Sequence, residues 1–164
     1  MNVIMDACSV INLHNGGALE AVCSIAEFNF QVGPIVGGEC SEGCAAALAM
    51  LHDAGLLEYL TDAPLDAEKF LEFVSEHRLG EGEAECIMLA ELDAGAIVSC
   101  DDLRGRKKTQ VILGDDRLIG SIGLLKQAVA CGLMTETQAN SAYRCMKDAG
   151  GFLPDLTEEY FATN

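Results

Sequence analysis

Four carboxylates stand where their surroundings allow chemistry. Asp6 closes the apolar run Val3-Ile4-Met5, and Asp101, with Asp102 beside it, closes Ile97-Val98-Ser99-Cys100. Glu39 follows Gly37-Gly38 and Glu83 follows Gly80-Glu81-Gly82, so both are expected at helix starts, where the glycines admit close backbone approach. Acids that converge on one point repel each other. A hard divalent cation such as Mg²⁺ or Mn²⁺ relieves that repulsion and keeps several waters. Metal-bound water attacks a phosphodiester, and the metal also stabilises the leaving oxygen. The spacing permits metal-assisted phosphoryl chemistry without requiring it, because an aspartate after a strand also serves as a turn or cap residue.

The elements that must position these acids are legible in outline. Asn2–Met5 and Ala96–Cys100 read as buried strands, and Leu56–Leu60 as another, closed by the polar turn Thr61–Pro64. Phe30–Val36 reads as extended. Helical spacing covers Ala18–Phe28, Gly37 to Ala54, Leu65–His77, Glu83–Ala94 with Gly95 as C-cap, Leu118–Ala130 and Glu136–Ala149. Strands alternating with helices predict an α/β domain with a mainly parallel sheet, whose sites form beyond the carboxyl ends of the strands.

The chain has 164 residues, half of them hydrophobic, which suits one domain with a core of its own. No repeat and no Pro- or Ser/Gly-rich tract divides residues 1–164. Ten basic residues against 26 acidic give a formal charge of −16, which excludes a broad basic footprint but not a local patch. With no Trp, six Phe and three Tyr, stacking platforms for single strands are not expected. Neither a secretion signal nor an 18-residue apolar stretch is present, so the expectation is a cytoplasmic protein without a membrane partner. Eight cysteines without a CxxC pair read as small buried thiols in a reducing setting, and close spacings assemble no four-ligand zinc site.

Five blocks carry a resemblance. They are Met5-Asp6-Ala7-Cys8-Ser9-Val10-Ile11-Asn12-Leu13, Gly37-Gly38-Glu39, and Gly80-Glu81-Gly82-Glu83-Ala84-Glu85-Cys86-Ile87-Met88-Leu89-Ala90. Ser99-Cys100-Asp101-Asp102-Leu103-Arg104-Gly105-Arg106 is the fourth, and Ile119-Gly120-Ser121 through Ala128, with Cys131-Gly132-Leu133, the fifth. In this order they resemble the PIN domain family, specifically its small prokaryotic VapC-type proteins. The resemblance implies a three-layer α/β/α sandwich with a mainly parallel central sheet. It implies a metal-dependent endoribonuclease, a hydrolase cleaving single-stranded RNA with Mg²⁺ or Mn²⁺.

Asp6, Glu39, Glu83 and Asp101 are then the implied catalytic and metal-binding set, with Ser9 supporting the metal shell and Asp102 beside the last acid. Glu83 and Glu85 point about 200° apart on a helix, so one of them faces the pocket. The eighteen residues from Glu83 to Asp101 favour Glu83, with Glu85 as the alternative. The family also implies a toxin half of a toxin–antitoxin pair, a homodimer and a small antitoxin partner. Cys8 departs from the Thr or Ser common there, and a thiol is a poor partner for Mg²⁺. Cys8 and the acidic balance keep a second reading open: a PIN-like protein-binding module that cleaves weakly or not at all.

The remaining features divide. Arg104, Arg106, Lys107 and Lys108 form the one dense basic run and follow Asp101-Asp102 directly. They read equally as RNA-binding residues that draw phosphates inward or as a solvated helix face. Asp115-Asp116 reads as a turn and helix cap. His14, His52 and His77 read as structural or exposed, the methionines as core filler, and the tail around Phe152-Leu153-Pro154 as docking on the domain or a partner. A phosphatase of the haloacid-dehalogenase type needs a second aspartate at position 8, where this chain has Cys. The acid-rich composition is also what adaptation to high salt produces.

Overall fold

Val3, Ile4 and Met5 are buried, as are Ile97, Val98 and Ser99. Short, wholly buried apolar runs are what a parallel sheet covered on both faces demands. The computed structural model describes residues 1–61, 65–157 and 159–162. Its strands are β1 (Asn2–Met5), β2 (Asn29–Val32), β3 (Leu57–Tyr59), β4 (Ile97–Ser99) and β5 (Leu118–Ile119). They form one parallel sheet in the order β3-β2-β1-β4-β5. The chain therefore builds outward from β1 to one side, then returns to build β4 and β5 on the other. The reversal lies between β1 and β4, where such sheets open a crevice at their carboxyl ends. Val3 pairs with Ile97 and Met5 with Ser99, and the Asp6 N–H donates to the Ser99 carbonyl at 2.9 Å. Asp6 and Asp101 thus leave neighbouring strands at the same edge.

Helices complete a three-layer α/β/α architecture. α1 (Ala7–Asn15) packs on α8 (Ser121–Ala130) and α9 (Glu136–Asp148), with α2 (Leu19–Cys23) against α8. α6 (Glu81–Leu92) packs on α5 (Ala67–His77), α7 (Leu103–Leu113) and α3 (Pro34–Glu39), while α4 (Glu42–Asp53) lies against α1 and β3. The main core joins strand residues such as Ile4 and Phe30 to Leu13, Leu48, Leu124 and Met146. A smaller cluster of Leu79, Ala84 and Ile87 lies under Phe70, Phe73 and Val74 of α5. No helix among the described residues is long and apolar enough to cross a membrane.

Several expected boundaries shift for physical reasons. The helix expected over Ala18–Phe28 is only Leu19–Cys23, because Ser24 ends it before the chain enters β2. The extended segment expected over Phe30–Val36 divides into β2 and α3, which Pro34 opens at the helix position proline tolerates best. The single helix expected from Gly37 to Ala54 is two, because Cys40 and Ser41 are extended and the Ser41 side chain caps α4. Glu39 consequently ends a helix instead of starting one. Leu118 and Ile119 pair with β4 as a strand before α8 begins, and Asp115–Arg117 forms a 3₁₀ turn. Gly95 is not the cap of α6, which ends at an extended Asp93. Of the turn expected at Thr61–Pro64, residues 62–64 lie outside the described residues.

Side-chain expectations shift too. Met5 and Met146 are core, but Met50 is largely exposed. Cys131 and Cys145 are exposed, against the expectation of buried thiols. His52 approaches the Leu57 carbonyl and His77 packs on Phe73, both structural roles. The tail docks on the chain only in part: Phe161 is fully buried beside Tyr143, whose hydroxyl donates to the Pro154 carbonyl, whereas Phe152 is 86% exposed.

Candidate active site

Asp6 emerges from β1 and turns directly into α1, which buries it to 4% exposure. Its Oδ2 accepts from two thiols, Cys8 Sγ at 2.7 Å and Cys100 Sγ at 3.3 Å. Burial pushes its carboxyl above the ordinary range, against the pull of the two thiols and the Ala7 N–H, and Asp101 adds to the rise.

Two further acids share this field. Burial and then the charge of Asp6 raise the Glu39 carboxyl, with Glu85 and Glu83 adding repulsion. Burial also raises Glu83, opposed by the Gly80 N–H and by Arg104, whose guanidinium lies 3.5 Å away. Glu83 Oε2 accepts from the Gly80 N–H at 2.8 Å, so this acid also caps the helix it stands on. The charge of Asp6 thus makes ionisation of both glutamates more costly, the condition a divalent cation relieves.

Glu85 does something else. It is 1% exposed and accepts from the Ile35 and Val36 N–H groups at 3.1 and 3.0 Å, the open amino end of α3. At its other end α3 carries Glu39, whose carboxylate lies against the Gly82 backbone in the first turn of α6. The two helices thus each offer a carboxylate to the other's amino terminus. Glycine admits both approaches: a Cβ on Gly33 would lie 2.3 Å from the Glu85 carboxylate, and one on Gly82 2.5 Å from that of Glu39, so a side chain at either place would displace the carboxylate.

Asp101 leaves β4 with both oxygens engaged. Oδ1 accepts from the Ser121 N–H at 2.8 Å, and Oδ2 from Asn12 Nδ2 at 2.8 Å and from the Ser121 hydroxyl. Its own N–H donates to Cys8 Sγ at 3.1 Å. Asp102 is exposed and caps α7, accepting from the N–H groups of Arg104 and Gly105 at 2.8 and 2.9 Å. Ser9 is fully buried, and its hydroxyl is one of two buried side-chain oxygens without a hydrogen-bond partner among the described residues, the other being that of Ser99.

The basic run lies on α7, and two of its residues reach the acids or the backbone beside them. Arg104 faces Glu83, and Arg106 Nη1 donates to the Cys100 carbonyl at 2.8 Å. Lys107 is exposed and Lys108 half-buried. A cavity beside Asp101 and Arg106 is walled by Ile122, Leu153 and Tyr160. Asp115 and Asp116 lie outside this assembly, in the 3₁₀ turn whose Arg117 ties down the Ala90, Asp93 and Ala96 carbonyls.

The charge of Asp6 therefore raises Glu39 and Glu83, and that of Asp101 raises Asp6; Glu85 and Asp102 add to the field at Glu39 and Glu83, but their carboxylates are engaged as caps. Asn12, Ser121 and Cys100 were given no role by sequence reasoning. For Asn12 a signal existed: it follows Ser9 by three residues, the same face of one helix. Of the four acids only Asp6 is buried, Glu83 and Asp101 being half-buried and Glu39 exposed; carboxylate oxygens suit a hard divalent cation, but the ligand atoms that lie together among the described residues are those of Asp6, Cys8 and Cys100. A family model described as PIN domain matches residues 2–160 of the chain. Comparison with curated proteins and with solved structures gives no significant match.

Proposed function

The chain belongs to the PIN domain family, whose members are in general metal-dependent nucleases, and on that premise we propose that it is an endoribonuclease cleaving single-stranded RNA. The observation that carries the proposal is the buried Asp6, whose charge raises both Glu39 and Glu83 at the point where the strand order reverses. In this reading Asp6, Glu39, Glu83 and Asp101 hold Mg²⁺ or Mn²⁺. When bound, the cation supplies an activated water and charge stabilisation at the leaving oxygen.

The chain's own residues do the rest. Asn12 and Ser121 fix the orientation of Asp101. The Gly80 N–H and Arg104 fix Glu83. Arg104, Arg106, Lys107 and Lys108 draw the phosphate backbone toward an otherwise acidic surface. The finer parts of the proposal are a toxin half of a toxin–antitoxin pair, a homodimer, a small antitoxin partner and a cytoplasmic setting, all supported by the resemblance to VapC-type proteins.

The test is cleavage of a fluorogenic single-stranded RNA with Mn²⁺ by wild type, Asp6→Asn and Asp101→Asn. We expect both variants to stay folded and lose more than the roughly 100-fold that altering an outer partner costs. Wild-type rates in both would refute the reading. The second reading, a binding module, draws support from one feature: both Asp101 oxygens are already taken by the protein. It predicts no Mn²⁺-dependent cleavage by wild type.

A further inference from the structure

The two thiols on Asp6 come from distant parts of the chain. Cys8 stands in the first turn of α1 and Cys100 at the end of β4, and the β1–β4 register brings them together. Their sulfurs are 3.7 Å apart, and each is within 3.3 Å of Asp6 Oδ2. We infer that Asp6, Cys8 and Cys100 form a binding site for a thiophilic divalent cation of the zinc class, overlapping the hard-cation site at Asp6.

Geometry comes first. Two thiolates about 2.3 Å from a tetrahedral ion lie about 3.8 Å from each other, and a thiolate and a carboxylate oxygen on it about 3.5 Å. The observed sulfur–sulfur distance already matches, and so nearly does that from Cys100 to Asp6. The Cys8–Asp6 contact, at 2.7 Å, lengthens by less than an ångström when an ion replaces the proton between them. The Asp101 N–H that points at Cys8 Sγ is the kind of outer donor that holds a ligating thiolate in place.

Chemistry and access agree. Two sulfurs and one oxygen suit Zn²⁺ far better than Mg²⁺. Binding expels both thiol protons to solvent, because the ion is held by the thiolate form. Cys8 is half-buried and lines a cavity with Asn12, Asp101 and Phe152, so an ion reaches the three ligands from the Cys8 side. Cys100 closes the inner side. The inference rests on the preceding reading only in placing Mg²⁺ or Mn²⁺ at the same Asp6, where the two cations exclude each other.

The test uses the full chain, reduced and freed of metal, with Cys131→Ser and Cys145→Ser removing the two exposed thiols. Co²⁺ is titrated in while the thiolate-to-cobalt charge-transfer absorption is followed, and Zn²⁺ is then added as competitor. We expect the band to saturate at one equivalent and to vanish in Cys8→Ser and Cys100→Ser. Zn²⁺ affinity should fall at least tenfold in each. X-ray absorption of the Zn²⁺ complex with both cysteines intact should show two sulfur neighbours at about 2.3 Å, a readout that needs no further variant to fold. Absence of binding, binding through oxygen and nitrogen alone, or a band that survives both substitutions overturns the inference. None of these readouts involves RNA, so the nuclease reading stands or falls separately.

Discussion

Asp6 and Asp101 leave adjacent parallel strands at the same edge of the sheet, yet their surroundings are opposite. Asp101 is met by a backbone N–H, an amide and a hydroxyl, which define both oxygens. Asp6 is more deeply buried, and its side-chain donors are two thiols, the weakest the protein has to offer. One carboxylate is oriented by the fold and the other is left in want of positive charge. A site that binds a cation needs both kinds: a ligand held in place before the ion arrives, and a charge the ion alone can compensate.

The sharpest way to break this contrast is to loosen Asp101 without touching its charge. Ser121→Ala removes the hydroxyl donor and leaves the backbone N–H. We expect Mn²⁺ affinity to fall about 10–100-fold, read by calorimetric titration, with the melting temperature little changed. Unaltered affinity would mean that the orientation of Asp101 does not matter to the ion.

The same contrast recurs two residues apart on α6. Glu83→Gln should act on metal affinity and leave stability nearly unchanged. Glu85→Gln keeps one acceptor but turns an amide N–H toward the amino end of α3, and should cost about 1–3 kcal/mol in urea unfolding. Equal stability losses in the two variants would erase the division between pocket acid and cap.

Asp6 makes a prediction in pH. Its carboxyl is raised in the folded state, so between the ordinary aspartate range and the raised value the folded chain holds a proton that the unfolded chain has released. The stability this contributes is present at low pH and is lost as pH rises from about 4 through the raised value. Glu39 and Glu83 act in the same direction. Metal-free protein should therefore melt at falling temperature as pH climbs through that window, with a shallower slope in Asp6→Asn. Saturating Mn²⁺ should flatten the wild-type slope. The smallest effect belongs to Asp102→Ala, which removes a helix cap and should cost about 1 kcal/mol by urea melt, with Mn²⁺ affinity unchanged.

What the sequence disclosed follows the range of the forces involved. β1 and β4 were legible because continuous apolar runs ending in aspartate have few other readings. The place of Glu39 at the end of a short helix was not, because Pro34 starting α3 and Ser41 restarting α4 are local signals that the glycines between them obscured. Periodicity separated Glu83 from Glu85, but their tasks depend on α3, some fifty residues away in sequence. The Cys8–Cys100 pair, 92 residues apart, had no signal at all before the register of the sheet was known.

The strand order carries one more consequence, for the growing polypeptide. β1 is made first but sits at the centre of the sheet, and its β4 side stays open until residues 97–99 have emerged. Asp101 gains its serine partner only at position 121. Closing a loop of that length costs entropy, but only logarithmically in its length. In a growing chain Asp6 and Asp101 therefore stay apart until β4 has paired with β1, and Asp101 stays without its serine partner until residue 121 has been made.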